Sequence, residues 1–161
     1  MLIGIVNAKI ILEGVEGIGY AIPSNLACNV ADNIIDNCYG KIYNTARRAL
    51  LGITVTTSTS KAVYDPETGL VSIEQTVIVV EASSTCLFGK DIKADDIIKS
   101  VKLNGHEELT VTRQHHVIDY MLQARAGDTG TLTVSRLNEQ TGEYEDIVLS
   151  FSISAQAIVN Y

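Results

Sequence analysis

The sequence predicts an α+β fold that is rich in strands and carries two helices. Three observations lead there. Apolar and β-branched residues alternate over 53–58 and 71–80, turn signals separate such runs, and two stretches carry apolar residues at helical spacing. With 161 residues, 46% of them hydrophobic, the chain has enough apolar surface for one good core, or for one small domain with an appendage.

Taken in order, residues 1–8 (MLIGIVNA) read as a buried strand, 14–17 (GVEG) as a turn, and 18–22 as a second strand ended by Pro23. Ser24 and Asn25 then cap a helix that puts Leu26, Val30, Ile34 and Ile35 on one side and Asp32 and Asp36 on the other. It is expected to stop near Tyr39 and Gly40. Residues 53–58 form a strand in which Ile53, Val55 and Thr57 alternate with Thr54, Thr56 and Ser58. A polar loop follows, and its DPETG segment at 65–69 is a turn signal.

The run 71–80 is the most β-branched in the chain and is expected to be a central strand, although Gln75 interrupts its alternation. Residues 83–88 are expected to make one helical turn, and 96–104 a strand reaching the turn at Asn104 and Gly105. The second helix is expected over 112–124, with Thr112 as its cap and Val117, Ile118, Met121 and Leu122 as its apolar stripe. Residues 131–137 and 147–153 make a closing hairpin around 138–145. Residues 155–161 form a tail that the pattern does not place.

Composition excludes several functions. The net charge is −7 and the Lys and Arg residues are scattered, so the chain lacks a basic face for nucleic acid or an acidic membrane surface. Cys28, Cys38 and Cys86 are odd in number and make no C-x-x-C, which fits neither a disulfide framework nor a zinc site. The acids Asp95 and Asp96, and the group Glu139, Glu143, Glu145 and Asp146, lack metal-loop spacing; no metal or cofactor is expected. Cys86 sits in an apolar CLF context without a neighbouring base, which is poor support for a dyad with His106 or His116. No apolar run reaches the length of a membrane helix, and residues 1–8 have neither the basic start nor the cleavage site of a signal peptide.

The candidate site is the stretch 47–58 (RRALLGITVTTS). Leu50, Leu51, Gly52 and Ile53 form an apolar turn in which glycine lets successive N–H groups face outward, a device that can hold a carboxylate. The strand leaving the turn is expected to accept a peptide as an added strand. The competing reading is a plain turn before a buried strand.

Two segments carry a family resemblance. Residues 17–25 (GIGYAIPSN) resemble the segment that closes the second barrel of trypsin-like serine proteases of the high-temperature-requirement A (HtrA) family. Residues 2–8 (LIGIVNA) resemble the strand after their nucleophile. In that family a helix like 25–37 leads into a PDZ domain, and a Leu-Gly-Ile turn like residues 51–53 opens its peptide groove.

The resemblance implies a PDZ-like, partly open barrel preceded by two remnant strands and a linker helix of a trypsin-like barrel. The implied domains are a protease remnant and linker at 1–40, a PDZ domain at 41–155, and a tail at 156–161. The implied peptide-binding residues are Leu51, Gly52, Ile53, Thr54 and Val55, with Val117, Tyr120 and Met121 as the helical wall. His116 is an alternative contact for a Ser or Thr hydroxyl of the ligand. The implied partners are peptides and apolar protein C-termini, captured by a secreted or membrane-anchored serine endopeptidase of the cell envelope or exterior engaged in protein quality control.

By the same resemblance the nucleophile would lie just before residue 1, with the His and Asp further upstream. None of Ser58, Ser60, Ser83, Ser84 and Ser100 stands in a nucleophile motif, so the chain itself is expected to have no hydrolytic activity. The first two strands are then expected to pair with a second copy, giving a homodimer, or with the domain's own edge. The chain also departs from the family, which has Ala-Gly-Leu-Lys-Ala-Gly-Asp where residues 90–96 read KDIKADD. Two glycines are replaced by aspartate, which tolerates a left-handed backbone better than most residues. Two alternatives to substrate capture stay open: a free-standing scaffold domain, and a groove occluded by the chain's own N-terminal strands.

Overall fold

A computed structural model describes residues 3–9, 19–38 and 47–160. The expected turn at 14–17 and the helix end at 39–40 lie outside the described residues. The chain divides into two compact units, residues 1–47 with 160–161, and residues 48–159. This moves the boundary expected at 40–41 and brings most of the unplaced tail into the second unit.

In the first unit, strands β1 (Gly4–Lys9) and β2 (Gly19–Pro23) pair antiparallel, with Ile5 opposite Ile22 and a bulge between Val6 and Ala8. Helix α1 (Ser24–Cys38) starts directly after Pro23, where Ser24 N–H donates to Ile3 O at 3.1 Å. The expected stripe is only partly covered: Leu26 and Val30 are half-buried, whereas Ile34 and Ile35 are exposed. Asn33 is the buried polar residue of the helix, and its Oδ1 accepts from Arg47 N–H at 3.2 Å.

The second unit is built on an open antiparallel sheet. Its strands are β4 (Ile53–Tyr64), β5 (Val71–Ala82), β6 (Ile97–Leu103), β8 (Thr129–Leu137) and β9 (Tyr144–Ser152), in the spatial order β4-β5-β6-β8-β9. The short β7 (Leu109–Thr110) pairs with β6. A separate two-stranded sheet joins β3 (Arg47–Ala49) to β10 (Ile158–Asn160), and a 3₁₀ turn (Ala155–Ala157) leads into β10. The whole is mixed α+β and strand-rich with two helices, and the described strands form open sheets and no closed barrel.

The core forms where alternation puts one face of each strand inward. Val77 and Val79 of β5, Ile98, Val101 and Leu103 of β6, Leu132 and Val134 of β8, and Phe151 of β9 are all buried. The Phe88 and Phe151 rings meet edge to face at 5.5 Å between centroids. The strand expected over 71–80 is therefore internal only in its second half. Tyr64, Leu70, Val71 and Ile73 at the far end of the β4-β5 hairpin are exposed, because the hairpin runs on beyond the rest of the sheet. Its turn is made by Asp65, whose carboxylate accepts from Glu67 N–H and Thr68 Oγ1–H. Those two bonds hold its pKa below the ordinary value.

Helix α2 (His116–Met121) is much shorter than the expected 112–124, and Thr112 is not its cap. The residues before it are tied to β5 instead. Gln75 N–H donates to Thr112 O at 2.7 Å, and the Gln75 side-chain oxygen accepts from Gln114 N–H at 3.1 Å. These bonds compete with helical ones. After Met121 the chain tightens into three-residue turns, Leu122 N–H to Asp119 O and Gln123 N–H to Tyr120 O, which ends the regular helix.

One buried ion pair ties the sheet to the segment before β6. Asp96 is fully buried, its carboxylate takes two bonds of 2.7 Å from the Arg136 guanidinium and one of 2.8 Å from Lys93 N–H, and Arg136 also donates to Asp91 O. Asp95 beside it stands at φ +66°, in the left-handed region. Removing the guanidinium leaves a buried carboxylate with one backbone donor. Arg136→Met is expected to destabilise the second unit by about 3 kcal/mol, read as a lower urea midpoint.

Candidate peptide groove

The bend at residues 50–53 is fixed by where its carbonyls go. Leu51 O accepts from Leu87 N–H at 3.0 Å and Gly52 O accepts from Ser83 N–H at 2.8 Å. In a trans peptide the following N–H points opposite to the carbonyl, and the described chain has no cis bonds. The N–H groups of Gly52 and Ile53 therefore point away from the 83–87 turn. Leu50 N–H, by contrast, is bound to Ala157 O at 2.9 Å.

Gly52 is required here for two reasons. Its φ is +75°, and an added Cβ would stand 2.6 Å from Cys86 Cα and 2.8 Å from Cys86 N. Both are backbone atoms that cannot give way locally, so the tight approach of the 83–87 turn depends on this glycine.

Among the described residues β4 pairs on one side only, with β5, and its other edge faces the space beside α2. A groove of about 460 Å³ lies there. Of the residues expected at the site, Leu51, Gly52, Ile53, Thr54 and Val55 line it from the bend and strand, and Val117 and Met121 from the helix. Leu51, Val117 and Met121 are buried and make an apolar floor.

Tyr120 belongs elsewhere. Its ring is buried, and its hydroxyl accepts from Leu103 N–H at 3.0 Å and donates to Glu107 O at 2.7 Å, so it braces α2 against β6. At helical spacing Tyr120 follows Val117 by three residues, and position alone cannot separate groove wall from core when the helix is buried on more than one side.

The lining also includes residues not expected at the site, among them Arg48, Ser83, Thr85, Gln114 and Ile118. Arg48 and Ile118 left signals. Arg48 lies near the start of the candidate stretch, and Ile118 adjoins Val117 in the apolar stripe yet is 47% exposed. Gln114 gave none, because its place follows from the irregular segment tied to Gln75. The Gln114 side chain donates from Nε2 to Val55 O at 3.0 Å and accepts from Thr57 Oγ1 at 3.4 Å.

His116 does not line the groove. It is half-buried, and its Nδ1 accepts from Thr112 N–H at 3.4 Å. Burial first, and then the adjacent His115, lower its pKa below the ordinary 6.5. Among the described residues no group of His, Cys, Asp or Glu is arranged to hold a metal ion, and no helix is long and apolar enough to cross a membrane.

No protein-family model matches the chain, and no curated protein is significantly similar to it. The likeness to HtrA proteases rests on the residues quoted above.

Two outcomes test this geometry. Gly52→Val is expected to lower the stability of the second unit by at least about 1 kcal/mol, seen in urea unfolding, because it strains the fold as well as the groove. Since the unfolded chain protonates His116 more readily than the folded one, stability should fall as pH drops below 6.5. His116→Gln should flatten that fall in unfolding titrations at successive pH values.

Proposed function

We propose that the second unit is a PDZ-like peptide-recognition domain that captures protein C-termini ending in an apolar side chain. The observation that carries this reading is the groove itself: outward amides at Gly52 and Ile53, the unpaired edge of β4, and the apolar floor from Leu51, Val117 and Met121 converge on one space. An added strand would draw affinity from the β4 backbone, place its carboxylate on the amides beside Arg48, and bury its last side chain on the floor. The GIGYAIPSN and LIGIVNA segments favour a place within an extracytoplasmic serine endopeptidase of the HtrA type, to whose protease domain the groove would deliver substrate. In the alternative, the same groove serves a scaffold without protease activity. A Gly-x-Ser-Gly-Gly segment encoded upstream of residue 1 separates the two.

Titration with N-terminally labelled peptides, one set with free and one with amidated C-termini, tests the reading. Free-acid peptides are expected to bind at least about tenfold tighter, the worth of a charged group held by backbone donors. Equal affinity removes the carboxylate role. Lys61→Ala should leave binding unchanged, since Lys61 makes an exposed pair with Glu74 on the hairpin, away from the groove.

A further inference from the structure

The open edge of β4 is not open along its whole length. A strand shows its partners the N–H and C=O of every second residue, so Ile53 and Val55 face the groove together. Val55 O already accepts a hydrogen bond from Gln114 Nε2 at 3.0 Å. The orientation of that amide is set by chemistry: a carbonyl only accepts, so nitrogen faces Val55, and the oxygen is left to take the Thr57 hydroxyl. Gln114 is itself anchored, its N–H donating to the Gln75 side chain at 3.1 Å and the neighbouring Thr112 O held by Gln75 N–H.

Resting on the peptide-capture reading, the register of a bound peptide follows. With its carboxylate on the Gly52 and Ile53 amides, the last residue lies opposite Ile53 and the third from last opposite Val55. The N–H of that third residue therefore meets an acceptor that is already in use. We propose that Gln114 is a latch that closes the groove after two residues, so that the resting domain reads only the C-terminal dipeptide and is indifferent to a missing backbone donor at the third position. The ligand class is then protein C-termini with an apolar last residue, including those with proline third from the end, which an unlatched edge would disfavour.

The test uses fluorescein-labelled hexapeptides of alanine ending in a free-acid valine, with either alanine or N-methylalanine third from last. They are titrated into the full chain and into its Gln114→Ala and Gln114→Met variants, the second keeping the side-chain volume without a donor. N-methylation is expected to change binding to the unaltered chain by less than twofold. Both variants should bind the unmethylated peptide about fivefold tighter than the unaltered chain does, as one added net hydrogen bond would give, and lose that gain on methylation. If methylation weakens binding to the unaltered chain as much as to the variants, the glutamine swings aside freely and the latch is overturned while capture stands. If no free-acid peptide binds any of the three proteins, the capture reading fails and the latch with it.

Discussion

Two backbone hydrogen bonds, from Leu87 and Ser83 to the carbonyls of Leu51 and Gly52, set up everything else at the groove. They turn the intervening peptide planes so that the amides of Gly52 and Ile53 look the other way. They also hold the bend against the 83–87 turn at a distance that only a glycine at position 52 permits. β4 then leaves the bend in a fixed register with β5, with Ile53 opposite Ala82, and its free edge is aimed at α2. The helix completes the cleft because Tyr120, buried on the far side, hydrogen-bonds the β6 backbone and stops α2 from drifting.

A second constraint is the side chain of Gln75. In the sequence it looks like a flaw in the best strand of the chain, a polar residue inside a β-branched run. In the fold it is the post to which the segment before α2 is tied, through its own N–H and its amide oxygen. That tie shortens the helix at its start and brings Gln114 over the edge of β4. A single polar residue thus decides both where the helix begins and how much of the edge is exposed.

These two constraints differ in how far the sequence revealed them. The bend was legible because glycine between apolar residues, followed by strict alternation, has few structural meanings, and the strands and the Asp65 turn carried similarly local signals. The length of α2 was not legible. The stripe through Leu122 has helical spacing, but hydrogen bonds from β5, nearly forty residues earlier, outcompete the helical ones at Thr112. Tyr120 and Gln114 were misjudged or missed for the same reason, since their partners are distant in the chain: Leu103 and Glu107 for one, Val55 and Thr57 for the other. The tail failed differently. Residues 155–160 have no strong pattern of their own; 155–157 form a 3₁₀ turn, and 158–160 become a strand because β3 offers them one to pair with.

That last pairing has an architectural corollary. Because β3 and β10 lie side by side, the points where the second unit's chain enters and leaves are one strand spacing apart, about 5 Å. A domain whose ends meet in this way can be spliced into a surface loop of an unrelated host without prying the host apart. The unit has the geometry of a removable cassette, one that carries its groove intact into whatever chain receives it.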